Sequence, residues 1–275
     1  MTTARSILLD IEGTTTPIAF VKDVLFPFAR KNAASYLAAH RHEPEVQRDL
    51  ALLVEEWARE REDGAPPVES SDPLPYLFWL MDGDRKSTAL KALQGRIWKG
   101  GYESGALVSE VYPDVAPALV RFKGAGIDVS IYSSGSVLAQ QLLFAHTNAG
   151  DLRPFLSAYF DTTTGGKKEA TSYTRIASAL GRAPRDVLFV SDVAEELDAA
   201  RQAGMDVALC VRPGTPEPIP SRHRVVRSLG EIGRPRTRWN AVTGAIATVW
   251  LAIVDAFRTR PAPGERAEIV TSLLR

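Results

Sequence analysis

Residues 7–18 have the sequence ILLDIEGTTTPI, and this stretch decides both the fold and the chemistry expected of the chain. Three apolar residues lead directly into Asp10, which predicts a short buried strand that ends at a carboxylate. Glu12 follows two positions later, and residues two apart on an extended chain face the same side. Gly13 permits a sharp turn, and the threonines after it supply hydroxyl and N–H groups suited to an oxyanion. We expect both carboxylates to face one ligand space at a strand end, where open α/β sheets bind their ligands.

Three later segments also begin with short apolar runs: GIDVSIYSSGS at residues 126–136, RDVLFVSDV at 185–193 and MDVALCVRPG at 205–214. Helical patterns follow the first two. Ser136 is well placed to begin one of these helices, and Gly204 to end the other. Continuous β-branched runs that alternate with helices predict an α/β fold with a parallel sheet covered on both faces.

The chain between the first two predicted strands has a different pattern. Segments such as VKDVLFPFARKNAASYLAAH and PEVQRDLALLVEEWARERE carry apolar residues at helical spacing. We therefore predict a helical insertion over residues 20–109, within an α/β core formed by residues 1–19 and 110–233.

Residues 234–275 form an extension of unknown role. Its uncharged stretch at 240–254 is shorter than the roughly 20 residues of a membrane span, so a helix packed on the core or on a partner is favoured over a membrane anchor.

The bulk composition is that of a globular protein without a nucleic-acid partner. The chain has 275 residues, is 45% hydrophobic, and carries 33 basic and 33 acidic side chains, so its formal net charge is zero. Cys210 is the single cysteine, which fits a reducing compartment. The apolar run near the start is too short for a signal peptide. These features predict a cytoplasmic protein.

Two further motifs could bind a phosphate group. YSSGS places Ser133 and Ser134 between a predicted strand and a helix, where hydroxyls and free N–H groups form an anion site. TTTGGKKEATSY places Lys167 and Lys168 after two glycines, and a lysine there can neutralise phosphate charge. Taken alone, the YSSGS motif is better explained as a helix-capping turn, and the TTTGGKKEATSY motif as a solvated loop.

Asp192 lies at the end of the strand predicted in RDVLFVSDV, and Glu195 and Glu196 follow in the next helical turn. Carboxylate oxygens are the ligands that Mg²⁺ prefers, although acids in a first helical turn also compensate the helix dipole.

The joint pattern of all these motifs decides between the interpretations of each one. Four features occur in a fixed order near strand ends: a pair of acidic residues, a turn with serine hydroxyls, a lysine, and a second group of acidic residues. Because a carboxylate nucleophile and a phosphate dianion repel each other, such a site needs both metal and lysine.

This order of motifs resembles the haloacid dehalogenase superfamily of phosphotransferases over nearly the whole chain up to about Gly233. The resemblance implies a Rossmann-like core with an inserted helical C1 cap. The match is closer still to the acireductone synthase family, the enolase-phosphatases of methionine salvage. Segments that carry this resemblance include DIEGTTTPIAFVKDVLFPFAR, LQGRIWKGGYESG, IYSSGSVLAQQLLFAHTNAGDL, YFDTTTGGKKEATSY and VLFVSDVAEELDAARQAGM. Glu12 is a specific feature, because most of the superfamily has aspartate at that position.

The resemblance implies conversion of 2,3-diketo-5-methylthiopentyl-1-phosphate to an enol phosphate, followed by release of phosphate to give acireductone. Asp10 would be the nucleophile and a metal ligand, and Glu12 the acid/base, with its backbone carbonyl on the metal. Asp192 would complete a site for one Mg²⁺ per subunit of a monomeric enzyme. The implied phosphate- and substrate-binding residues are Ser133, Ser134 and Lys167, with Lys168 as the alternative lysine.

Other functions remain open on the sequence alone. A phosphatase for another small phosphorylated metabolite would share the core motifs and differ in its cap. A dehalogenase is disfavoured, since that branch lacks a carboxyl group at the Glu12 position. A phosphate-responsive receiver module also uses a strand-end aspartate, but it has no comparable helical insertion. The extension at 234–275 could also tether an otherwise ordinary enzyme to a partner or a membrane.

Overall fold

The computed structural model describes residues 4–59, 64–68, 72–83, 85, 87–215 and 222–233. The α/β prediction is confirmed, with six parallel strands and eight α-helices in this part of the chain. The strands are β1 (Ser6–Leu9), β2 (Asp128–Tyr132), β3 (Ala158–Phe160), β4 (Val187–Ser191), β5 (Asp206–Cys210) and β6 (Val225–Val226). The helices are α1 (Phe26–His40), α2 (Pro44–Arg59), α3 (Leu74–Asp82), α4 (Thr88–Glu103), α5 (Val115–Gly124), α6 (Val137–Ala145), α7 (Ala170–Ala179) and α8 (Ala194–Gln202).

The first strand lies in the middle of the sheet, whose order is β3-β2-β1-β4-β5-β6. Ser6 of β1 is in register with Asp128 of β2 on one side and with Val187 of β4 on the other. Every residue of β1 is buried, as expected for a strand with neighbours at both edges and helices on both faces. This order brings the carboxyl ends of β2, β1 and β4 side by side.

Helices α1 to α5 lie in the long connection between β1 and β2, and a π-helical turn (Phe20–Leu25) precedes α1. Two apolar clusters hold α1 to α4 together. One joins the π-helical turn to α1 and α4 and also includes Leu142 of α6, and the other joins α1 to α2, α3 and α4. Trp98 and Tyr102 of α4 belong to the first cluster: the Trp98 indole donates to Leu25 O at 2.8 Å, and the Tyr102 hydroxyl bonds the Ser109 hydroxyl at 2.7 Å. The predicted boundaries of the helical insertion stay a prediction.

Helix ends follow the chemistry expected from the sequence. Ser136 begins α6, and its hydroxyl accepts from Ala139 N. Gly204 follows α8 with φ +92°, a conformation that a residue with a Cβ rarely adopts. The helices of the described ranges include none that is long and apolar enough to cross a membrane. The predicted tail at 234–275 lies outside the described residues.

Candidate active site

Asp10 is the centre of a hydrogen-bonded cluster at the end of β1. Its side chain is almost fully buried, with the residue 2% exposed. Oδ1 accepts from Lys167 Nζ at 2.7 Å and from Ile11 N at 2.8 Å, and Oδ2 accepts from the Ser191 hydroxyl at 3.0 Å. Donors at both oxygens fix the plane of the carboxylate.

Lys167 reaches Asp10 across 157 residues of sequence and also contacts Glu196, with Nζ 2.8 Å from Oε2. Burial alone would lower the pKa of this ammonium, but the two carboxylates outweigh burial and the pKa is raised. The lysine loop is held in turn by the Tyr173 hydroxyl, which donates to Lys167 O at 2.6 Å. Lys168, the alternative lysine, is exposed. The structure thus brings Lys167 to the Asp10 carboxylate.

Asp192 follows β4 and lies against the turn after β1. A Cβ on Gly13 would come within 2.1 Å of Asp192 Oδ2, and Gly13 has φ +67°, so this position favours glycine for two reasons. Burial and the Asp10 charge raise the pKa of Asp192 to about 6. The same two causes raise the pKa of Glu196 to about 7. The cluster therefore holds more carboxylates than the single Lys167 ammonium can balance.

These carboxylates suit a hard divalent cation, which prefers oxygen ligands and would offset their mutual repulsion. Within the described ranges, no group of three or more His, Cys, Asp or Glu side chains forms a metal-binding cluster. A metal held by Asp10 and Asp192 therefore needs oxygen atoms from the backbone, the substrate or water. The expected backbone carbonyl of Glu12 is a ligand of that kind.

Glu12 is partly buried in a tight turn rather than in continued strand. Gly13 N donates to Thr16 O at 2.9 Å, and a bridge pairs Glu12 with Thr16. The Thr15 hydroxyl donates to Asp10 O and to Ile11 O, both at 3.2 Å. The sequence pattern placed Glu12 on an extended chain, whereas these bonds fold the chain back directly after Asp10.

The two serines that follow β2 have different surroundings. Ser133 is buried, and its hydroxyl accepts from Gly135 N at 3.2 Å. Ser134 is exposed, and its carbonyl accepts from Lys91 Nζ of α4 at 3.3 Å. Both residues lie between the end of β2 and the N-terminus of α6, next to the strand that carries Asp10.

Sequence reasoning missed Ser191, whose hydroxyl contacts both Asp10 and Glu196, the latter at 3.1 Å. The available signal was its position as the last residue of β4, directly before Asp192. The sequence predicts Glu196 either as a magnesium ligand or as an acid that compensates the helix dipole. In the structure it pairs with Lys167, so it orients the lysine that contacts Asp10.

Comparison with known proteins gives the class of this protein. A family model described as haloacid dehalogenase-like hydrolase matches residues 4–204, so the chain belongs to this class of hydrolases. A protein of Synechococcus elongatus named enolase-phosphatase E1 is 54% identical over 212 residues, which make up 76% of this chain and 89% of that protein. One of the same name from Sorangium cellulosum is 50% identical over 229 residues, 83% of this chain and 97% of the relative. The chain belongs to the enolase-phosphatase E1 family.

A solved structure supports the same fold. The Unknown transcript 4 protein of Saccharomyces cerevisiae superimposes with a TM-score of 0.69 at 34% sequence identity. The match covers 82% of this chain and 98% of the yeast chain. The match includes nearly all of the yeast chain. The helices between β1 and β2 are therefore part of the fold that the two proteins share.

Proposed function

We propose that this protein is an enolase-phosphatase that converts 2,3-diketo-5-methylthiopentyl-1-phosphate to acireductone and inorganic phosphate in L-methionine salvage. Two relatives with about half of their residues identical carry the enolase-phosphatase name. The observation that carries the proposal is the buried Asp10 carboxylate, held between Lys167 and Ser191 at the end of the central strand. Such a carboxylate is preorganised to attack phosphorus.

In the phosphatase step, an Asp10 oxygen attacks the phosphorus atom and the bond from phosphorus to the substrate oxygen breaks. Glu12 protonates that leaving oxygen. Water then attacks the aspartyl-phosphate, Glu12 accepts the proton of the water, and inorganic phosphate leaves. Lys167 lies 2.7 Å from Asp10 Oδ1 and neutralises phosphoryl charge during both displacements, and Ser133 and Ser134 bind substrate or phosphate.

In the enolase step, a proton leaves the carbon next to a carbonyl group and a proton is added to oxygen. We propose Glu12 for this step as well, because its side chain is one methylene longer than that of aspartate and follows the nucleophile by two residues. The turn from Glu12 to Thr16 limits where that carboxylate can reach.

The donor set fits one Mg²⁺ per subunit, held by Asp10, Asp192 and the backbone carbonyl of Glu12. The pKa of Asp192, raised by burial and by the Asp10 charge, indicates a concentration of negative charge that a cation would relieve. When bound, Mg²⁺ supplies electrostatic stabilisation to the phosphoryl group and to an enolate oxygen. We also propose that the protein acts as a monomer in the cytoplasm on this small substrate, without a nucleic-acid or membrane partner.

The test is to incubate the purified protein with the diketo phosphate and Mg²⁺ and to follow two signals. Ultraviolet absorbance reports the enol intermediate and product, and a colorimetric assay reports free phosphate. We expect both signals to appear, with the enol before the phosphate. Phosphate release from other phosphomonoesters of a substrate panel, without turnover of the diketo phosphate, would instead identify a phosphatase for another metabolite.

A further inference from the structure

The guanidinium of Arg212 holds the turn that follows the Asp10 strand. Arg212 lies two residues after β5 and is 3% exposed. Its Nε and Nη2 both donate to Thr14 O, with a distance of 2.9 Å from Nε. Its Nη1 donates to the two carboxylate oxygens of Asp114 at 2.8 and 2.9 Å. A planar guanidinium bonded along two edges fixes the relative position of the groups on either side.

Both ends of this contact are attached to other parts of the fold. Asp114 Oδ2 also accepts from Leu229 N at 2.6 Å, so the carboxylate is anchored to the segment after β6. The guanidinium carbon lies 4.3 Å from the centre of the Tyr112 ring, and Tyr112 N donates to Thr15 O at 3.0 Å. Arg212 thus joins the turn after β1 to two separate segments of the core.

The position of Thr14 bears directly on the site. Gly13 precedes it and leaves no room for a Cβ beside the Asp192 carboxylate, and Glu12 is one residue earlier. A shift of the Thr14 carbonyl would therefore move the Glu12 backbone and disturb the contact with Asp192. We infer that Arg212 is a positioning residue for the proposed reaction, because it fixes the backbone that carries Glu12. This inference rests on the proposed function.

The decisive variant is Arg212→Lys, which keeps the positive charge and loses the planar fork. One ammonium cannot reproduce the bonds to the Thr14 carbonyl and to both oxygens of Asp114. We expect kcat to fall about 10- to 100-fold, the range for a displaced catalytic group or a lost outer-shell contact. KM for the diketo phosphate should change by less than about threefold, since Arg212 does not bind substrate.

A second measurement does not depend on turnover. The proposed metal site includes the Glu12 carbonyl, so the Arg212→Lys variant should bind Mg²⁺ roughly tenfold more weakly in a calorimetric titration. If Arg212→Lys does not fold, Asp114→Asn provides the same test, because it keeps Arg212 and loosens its anchor. Unchanged kcat and unchanged Mg²⁺ affinity in a folded variant of either residue would overturn the inference.

Arg121→Met is the matched control for loss of stability. Arg121 lies on α5, and its Nη2 donates to Leu229 O at 2.8 Å and to Ile232 O at 3.0 Å. These bonds support the segment that Asp114 also contacts, and neither involves the turn after β1. We expect this variant to have a lower Tm, with kcat within about twofold of the wild type. A loss of kcat in Arg121→Met equal to that in Arg212→Lys would also overturn the positioning role. No turnover of the diketo phosphate by the wild type would overturn the proposed function instead.

Discussion

Two adjacent lysines of one loop have different surroundings. Lys167 contacts the carboxylates of Asp10 and Glu196, whereas Lys168 is exposed. The sequence favours Lys167 but leaves Lys168 as an alternative, because a rotation of one residue in a glycine-containing loop exchanges their directions. The structure adds a physical reason for the difference: the Tyr173 hydroxyl holds the carbonyl of Lys167, which fixes the direction of its side chain.

Replacing each lysine in turn measures the importance of that contact. Lys167→Met should lower kcat by about 10²- to 10³-fold, the usual cost of a lost group that stabilises transition-state charge. Lys168→Met is the matched control and should retain nearly full activity. The measurement is steady-state phosphate release at saturating diketo phosphate and Mg²⁺. A larger loss in Lys168→Met than in Lys167→Met would reverse the proposed role.

A single variant of Glu12 allows the enolase step and the phosphatase step to be compared. Glu12→Asp removes one methylene and restores the residue that is usual in the superfamily, so phosphate release should be less affected than enol formation. We expect enol formation to fall about tenfold further than phosphate release, within the range that general acid–base catalysis contributes. Because phosphate release follows enol formation, the comparison uses the rate constant of each step, obtained by fitting the stopped-flow absorbance and phosphate time courses to two consecutive steps. Equal losses in both steps, or no loss in either, would show that the longer side chain has no special role.

Among the elements, α4 connects the helical region to the site. Glu56 of α2 contacts its first turn: the Ser87 hydroxyl lies 2.5 Å from Oε2, and Thr88 N donates to Oε1 at 2.9 Å. One turn later, Lys91 reaches the carbonyl of Ser134 beside the site. A carboxylate at the N-terminus of α4 satisfies free N–H groups and compensates the helix dipole.

Stability should therefore depend on Glu56. Glu56→Gln removes the charge from the end of α4, and we expect the free energy of unfolding to fall by about 1 kcal/mol. Glu55→Gln is the matched control, because Glu55 is exposed and forms a surface pair with Arg59. That control should change stability by less than about 0.5 kcal/mol. Urea unfolding followed by circular dichroism measures both variants, and equal effects would argue against the capping role.

The predicted elements show where sequence patterns are sufficient. Strands β1, β2, β4 and β5 are predicted because each holds a short apolar run, interrupted in β2 by Ser130, and such runs are typical of buried strands. Strand β3 is not predicted from the sequence, since it has only three residues and lies at one edge of the sheet. The π-helical turn was missed because its composition is that of an α-helix, and its geometry comes from tertiary packing.

For the whole molecule, the site depends on strand neighbours that are distant in sequence. The order of motifs indicated which residue types meet, and the parallel sheet explains why they do so at one edge. The contacts of Ser191, Glu196 and Arg212 could not be predicted, because they depend on the distance and direction of side chains from separate strand ends.

Cys210 provides a probe of the whole fold. It lies in β5 and is 1% exposed, and burial raises the pKa of its thiol to about 11. A thiol in this state is a poor nucleophile, so the native protein at pH 8 should react with Ellman's reagent at least about 10³-fold more slowly than the unfolded chain. Absorbance of the released thiolate measures the rate with and without urea. Rapid native labelling that urea does not accelerate would show that β5 opens without global unfolding.

The central position of β1 has a consequence for synthesis on the ribosome. This strand is synthesised well before its neighbours β2 and β4, which begin at Asp128 and Val187. At about 5–20 residues per second, the backbone N–H and C=O groups along its two edges remain unpaired for on the order of ten seconds before both partner strands are made. A nascent chain that stops short of β4 lacks Ser191 and Asp192 of the site and leaves β1 without one partner, so chaperone access during elongation should govern the yield of active enzyme.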